Sequence, residues 1–169
     1  MAYRILIADD QEMVRKMLRA LLETHADWQV CGEAANGLEA VQKAAELKPD
    51  VIILDLAMPE MDGLHAAREI LSNTPTLPIL LYTNHAFSTL ALEAKKNGIR
   101  EVINKSVSER ELIGAVEALL NERGAVAGDS DRIDEVPDVS NLRDVTKLPE
   151  VDKLPADQDQ QTPQKLESA

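Results

Sequence analysis

Five side chains in this sequence have types that suit joint chemistry: the carboxylates of Asp9, Asp10 and Asp55, the hydroxyl of Thr83 and the ammonium of Lys105. Three carboxylates held close together repel and raise one another's pKa unless something cationic neutralises them. Lys105 supplies one positive charge. A hard divalent cation supplies the rest, and Mg²⁺ typically binds through one or two carboxylates, waters and a phosphoryl oxygen. Such a set suits phosphoryl transfer onto a carboxylate, with Asp55 attacking phosphorus to form an acyl phosphate. The cations would neutralise the phosphoryl oxygens, and a hydroxyl would donate to one of them.

That chemistry requires a fold that gathers residues from distant parts of the chain. Val51-Ile52-Ile53-Leu54 is a short, wholly apolar run ending in Asp55. It reads as a strand buried on both faces, as in a parallel sheet covered by helices. Tyr3 to Ala8 is a similar strand ending in Asp9-Asp10, Ile79 to Thr83 a third, and about Glu101 to Ile103 a short last one, followed by Asn104-Lys105. Trp28 to Glu33 completes the strands.

Between them lie amphipathic stretches. Val14, Met17, Leu18, Leu21 and Leu22 mark the inner face of the first helix. Leu38, Val41 and Ala45 mark the second, after an Asn36-Gly37 turn and before Pro49. Leu64, Ala67, Ile70 and Leu71 mark the third, capped by Asp62. Phe87, Leu90, Ala91 and Ala94 mark the fourth, stopped by Asn97-Gly98. Leu112, Val116, Leu119 and Leu120 mark the fifth, with Ser108 and Glu111 as a capping box and Gly114 in its interior. Strands joined by helical crossovers run parallel, so their carboxyl ends share one edge of the sheet. The result is a doubly wound α/β sandwich, in which ligands bind at that edge.

Acidic residues after strand one, Asp55-x-x-Met58-Pro59-x-x-Asp62-Gly63 after strand three, Thr83 after strand four and Lys105 after strand five form an ordered set. By this set residues 1 to about 122 resemble response-regulator receiver domains of two-component signalling, and the segment through helix three is most similar to the NarL-type group. The resemblance implies a flavodoxin-like (βα)5 fold with strand order 2-1-3-4-5. It implies Asp55 as phosphoacceptor, Asp10 as a direct Mg²⁺ ligand, Asp9 as a water-mediated one and the Ala57 carbonyl as a further ligand. Thr83 is then the hydroxyl that follows the phosphoryl group and Lys105 its ion-pair partner. The implied donor is a phosphohistidine on a histidine kinase or histidine phosphotransfer protein. Ala57 and His85 occupy positions that tune phosphoryl lifetime in this family.

Two positions depart from the family pattern. Asn84 stands where a small residue commonly follows the strand-four hydroxyl. Val102 stands where Tyr or Phe commonly precedes the lysine by three residues, and it has no ring to swing inward. Readout is therefore expected through backbone movement of residues 83–89 and helix four rather than through an aromatic switch. Taken singly, each site residue has a plain reading, Asp9-Asp10 as a helix cap and Lys105 as a solvated charge. His85 alone reads as a solvent-facing loop residue, and Leu92 as an exposed apolar residue of helix four available to a partner surface.

The net charge of −12 argues against a nucleic-acid surface, which needs clustered Lys and Arg. The single cysteine, Cys31, excludes an internal disulfide and reads as a small core residue. No apolar run reaches membrane-spanning length, so a cytoplasmic protein is expected. After residue 123 the composition changes. Residues 124–169 contain no Phe, Tyr or Trp and carry eleven acidic against five basic residues. This stretch is expected to be a disordered acidic tail, with Lys147-Leu148-Pro149 echoed by Lys153-Leu154-Pro155.

These features favour a single-domain phospho-switch, 1–123 plus tail, that is not an enzyme beyond its own phosphorylation and dephosphorylation. It would signal to an unknown protein through the face of helix four, strand five and helix five. A phosphoryl carrier or sink, and a pseudo-receiver adaptor, are the alternatives.

Overall fold

Runs of four to seven residues become strands, most of them apolar at their centre, and the amphipathic stretches between them become helices. The computed structural model describes residues 2–84 and 88–127, with side-chain surroundings for 2–84 and 89–122. In chain order the elements are β1 Tyr3–Ala8, α1 Glu12–Leu22, β2 Trp28–Ala34, α2 Gly37–Leu47, β3 Val51–Leu54, α3 Gly63–Asn73, β4 Ile79–Thr83, α4 Ser88–Lys96, β5 Glu101–Asn104 and α5 Glu109–Ala127. The sheet is five-stranded, in the order β2-β1-β3-β4-β5, and every pair is parallel. This is the flavodoxin-like arrangement expected from the sequence.

Side chains alternate across a strand, so the sheet divides the core in two. Leu6, Ala8, Ile52, Leu54, Ile79 and Leu81 pack beneath α2, α3 and α4 with Ala40, Ala66, Ala67, Ile70 and Ala94. Ile5, Ile7, Val51, Ile53, Leu80 and Tyr82 face α1 and α5, against Leu18, Leu22, Leu112, Val116, Leu119 and Leu120. β3 is buried along its whole length because both faces are covered. Among the described residues no helix is long and apolar enough to cross a membrane.

Helix faces differ from the sequence expectation where small residues decide the packing. On α2 the buried positions are Gly37, Ala40 and Ala44, while Leu38 is 49% exposed and Ala45 is exposed. A hydropathy count follows the largest side chains, but a helix approaches a sheet most closely on its smallest ones. Asn36 is a helix cap rather than a turn residue: its side chain accepts from the Glu39 amide at 2.8 Å. On α1 the buried stripe narrows to Leu18 and Leu22, and Met17 lies at its margin, 46% exposed. On α4 Ala94 is buried and Ala91 exposed.

The remaining capping expectations hold. Asp62 caps α3, accepting from the His65 amide at 2.9 Å, and Gly98 adopts φ +82° beyond α4. Ser108 and Glu111 form the capping box of α5: the Ser108 amide donates to Glu111 at 2.9 Å and the Glu111 amide to Ser108 Oγ at 3.3 Å. Cys31 is half-buried, close to the Ile5 carbonyl, and burial pushes its thiol pKa up. α5 continues through Gly124 to Ala127, past the compositional break at residue 123. Ala-Val-Ala after the glycine is compatible with helix even though nothing in its hydropathy demands it. His85, Phe87 and the tail from 128, with its Lys-Leu-Pro echo, lie outside the described residues.

Candidate functional site

The carboxyl edge of the sheet is built by hydrogen bonds that continue the parallel ladder one residue beyond the strands. The Asp9 amide donates to the Ala34 carbonyl at 3.0 Å, and the Asp55 amide to the Ala8 carbonyl at 2.8 Å. Asp9 is thereby fixed between β2 and β1, and Asp55 beside it. On the far side, β4 and β5 pair Thr83 with Asn104, and the Lys105 amide donates to the Thr83 carbonyl at 3.0 Å. Five residues from four segments of chain thus meet at the middle of the edge.

The loop after Asp55 is shaped by close backbone approach. A Cβ on Gly63 would lie 2.1 Å from the Asp55 carbonyl oxygen, and one on Gly37 would lie 2.3 Å from the Met61 carbonyl oxygen. Only glycine fits at either place. The Gly63 amide donates to Leu56 at 2.9 Å, and the Gly37 amide to Met61 at 3.1 Å. The starts of α2 and α3 therefore hold both ends of the loop that carries the exposed Ala57.

Asp9 and Asp55 are 1% and 3% exposed and Thr83 is fully buried, whereas Asp10 is exposed. Carboxylate oxygens of Asp9, Asp10 and Asp55 lie within 4.8 Å of one another. Lys105 Nζ sits among them, 2.6 Å from Asp9 Oδ2 and 3.3 Å from Asp55 Oδ1. Burial pushes the Asp55 carboxyl above the usual carboxylate range, the Lys105 ammonium opposes the rise and the Asp9 carboxylate adds to it. Burial works against the Lys105 charge, yet Asp9 and Asp55 hold its ammonium above the ordinary lysine value.

Asp9 Oδ2 is fully buried and, among the described residues, accepts no hydrogen bond. Its short contact with Lys105 is an ion pair. A buried carboxylate oxygen in that state has unused coordinating capacity. Two further carboxylates stand within reach, and this all-oxygen donor set fits a hard cation such as Mg²⁺.

Two features of the edge were not legible beforehand. Arg15, in the first turn of α1, donates from Nη1 to the Asp9 carbonyl at 2.8 Å and to the Asp10 carbonyl at 3.4 Å. Its Nε donates to Glu33 at 3.2 Å, and Arg19 donates to the other Glu33 oxygen at 2.7 Å. Burial would raise the Glu33 carboxyl, but the two guanidiniums hold it below the usual range. The second feature is Tyr82, buried on the α1/α5 face with its hydroxyl 3.4 Å from the Lys105 carbonyl. The Arg15–Glu33 pairing joins side chains of α1 and β2 that lie 18 residues apart, a separation that follows no hydropathy period. Of the other expected residues, Asn84 is exposed and Val102 half-buried. The Asn104 side chain approaches the Asn84 carbonyl at 3.5 Å. Leu92 is 59% exposed, far along the chain from the acidic cluster.

Comparison with known proteins gives a consistent picture. The model of the response regulator receiver domain matches residues 5–117. Chemotaxis protein CheY of Thermotoga maritima is 38% identical over 116 residues, covering 69% of this chain and 96% of that protein. A protein-glutamate methylesterase/protein-glutamine glutaminase of Alkalilimnicola ehrlichii is 38% identical over 143 residues, which cover 78% of this chain and 36% of that protein. This chain thus spans about a third of that relative's length. Among solved structures, the signal receiver domain of NarL from Mycobacterium tuberculosis superposes with a TM-score of 0.67 at 27% identity, covering 71% of this chain and 97% of that one.

Proposed function

The chain belongs to the response regulator receiver domain family of two-component signalling, and on that premise we propose that it is a phospho-switch whose acceptor is Asp55. The observation that carries this reading is the placement of Lys105 Nζ between two buried carboxylates, 2.6 Å from Asp9 and 3.3 Å from Asp55. A site evolved only for stability has little reason to bury that much charge at a sheet edge.

In this reading Asp55 attacks the phosphorus of a phosphohistidine on a histidine kinase or phosphotransfer protein. The P–O bond forms as the P–N bond breaks, and the histidine nitrogen leaves. Asp55 must be ionised to attack, and Lys105 favours that form against the effect of burial. Asp9, Asp10, Asp55 and the Ala57 carbonyl would hold Mg²⁺, which when bound neutralises phosphoryl oxygens and positions them for in-line transfer. Lys105 exchanges its Asp9 contact for a phosphoryl oxygen, and the Thr83 hydroxyl donates to another.

The wider assignment follows from the same reading. Residues 1–123 act as the receiver and the remainder as an appended tail, in a cytoplasmic regulator whose chemistry is its own phosphorylation and dephosphorylation. Output passes to a partner protein through the α4–β5–α5 face, with Asn84, His85, Leu92 and Val102 on the route. A second reading, a phosphoryl carrier or sink, is favoured by Val102: a half-buried β-branched residue offers no ring to report phosphorylation at that face.

The test is chemical. After incubation with acetyl phosphate and Mg²⁺, borohydride reduces an aspartyl phosphate to homoserine, which peptide mass spectrometry locates. Homoserine at position 55 is expected. Reduction at another carboxylate, or none at position 55, overturns the assignment.

A further inference from the structure

We propose that Arg15, braced by Glu33, is the positioning residue that sets the Asp9–Asp10 loop for divalent-cation binding, an inference that rests on the cation-site reading above. The entry to α1 lacks the usual fastening: Gln11, its N-cap, makes no side-chain capping bond. The loop is held from other directions. Asp9 is fixed at its amide by Ala34 and at Oδ1 by the Gln11 amide, 2.9 Å away. Its carbonyl accepts from Arg15 at 2.8 Å. With three of its polar atoms taken, Oδ2 has one direction left, toward Lys105 and the pocket.

The same Nη1 reaches the Asp10 carbonyl at 3.4 Å. Arg15 therefore draws the backbone oxygens of both acidic residues to the α1 side. That matters most for Asp10, whose side chain is exposed; a loose carboxylate loses more freedom when it binds a cation than one already held.

The brace is substantial. Arg15 is 15% exposed in its side chain and Glu33 27%. Both Glu33 oxygens are engaged, one by Arg15 and one by Arg19. The planar guanidinium fork lets Arg15 hold Glu33 through Nε and the loop carbonyls through Nη1 at once, since a lysine ammonium lacks that fixed geometry. Arg15 touches neither the acceptor carboxylate nor any reacting atom in this arrangement. Its role is carried through the residues that do.

Its charge and its geometry predict opposite outcomes. A positive charge behind an acidic pocket disfavours a cation there, so by field alone Arg15→Gln would bind Mg²⁺ more tightly. Loss of positioning makes binding weaker. Mg²⁺ binding to the full chain by isothermal titration calorimetry, at fixed ionic strength and neutral pH, separates the two. Arg15→Gln is expected to raise the Mg²⁺ dissociation constant about tenfold, the scale typical of partners that orient metal ligands. Arg15→Lys, which keeps the charge without the fork, is expected to fall between wild type and Arg15→Gln. With acetyl phosphate as donor, the Arg15→Gln rate should approach wild type at saturating Mg²⁺.

Should Arg15→Gln fail to fold by circular dichroism, Arg15→Lys carries the test, because field alone predicts no change for it. Dissociation constants within about twofold of wild type for the folded variants, or tighter binding by Arg15→Gln, overturn this inference alone. Absence of Mg²⁺ binding by wild type overturns the cation site itself, and this inference with it.

Discussion

Replacing Lys105 by Met removes the ammonium held between Asp9 and Asp55 while keeping an unbranched apolar stem. At 2.6 and 3.3 Å, the contacts amount to about 6 and about 5 kcal/mol of gross Coulomb attraction at the effective dielectric that describes protein sites. The cost of burying the charges offsets much of it, and removing one partner of a buried pair typically costs about 3–5 kcal/mol. We therefore expect Lys105→Met to lose about 3 kcal/mol of folding stability in Mg²⁺-free buffer, measured by urea denaturation. The loss comes from uncompensated carboxylates, so two remedies should restore much of it: millimolar Mg²⁺, and Asp9→Asn in the same chain.

The sign of the pH dependence follows from Asp55. Burial chiefly, and the Asp9 carboxylate, already place its folded pKa above the ordinary value despite Lys105. Its protonated form is favoured in the folded state. That contribution to stability is full below the ordinary carboxylate range and is lost as pH rises through the raised folded value. Without Lys105 the loss should reach to higher pH. Equal stability of Lys105→Met and wild type without Mg²⁺, or further destabilisation on adding Asp9→Asn, would refute the view that Lys105 neutralises a strained acidic cluster.

Other changes test the frame around the site. Gly63→Ala places a methyl against the Asp55 carbonyl, 2.1 Å from where its Cβ would sit; about 3 kcal/mol of destabilisation and slowed phosphorylation are expected, by denaturation and mass-gain kinetics. Gly114→Ala meets no atom within 4 Å and should stabilise α5 by about 0.5–1 kcal/mol in the same denaturation assay. Ser108→Ala removes the cap whose hydroxyl accepts from the Glu111 amide at 3.3 Å, for a loss of about 1 kcal/mol in thermal unfolding.

The sheet was readable in advance because its strands are short apolar runs bounded by turn and cap residues, and parallel connection leaves little choice of edge. Asp9, Asp55, Thr83 and Lys105 could be placed together for the same reason: each lies at or just beyond a strand end. On α2 Val41 packs against the core as expected, but Leu38 and Ala45 were misplaced because the buried positions are Gly37, Ala40 and Ala44, residues too small to dominate a hydropathy pattern. Met17 and Leu38 carry more apolar weight and remain at the surface. Arg15 escaped notice for a different reason. Its partners Asp9, Asp10 and Glu33 come from two neighbouring strand ends, and no single-sequence period reports an ion pair between a helix and a strand. Gly37 and Gly63 read as turn and helix-start residues; their tight backbone contacts emerge only when α2 and α3 are docked.

The central claim is that Asp55 accepts a phosphoryl group in a site that needs a divalent cation. The most direct measurement is intact mass after incubation with acetyl phosphate, with and without Mg²⁺, for wild type and Asp55→Ala. A gain of one phosphoryl group by wild type that depends on Mg²⁺ and disappears in Asp55→Ala is the predicted result. No gain by wild type, or an equal gain by Asp55→Ala, would contradict it and turn attention to an adaptor that works without phosphorylation at this site.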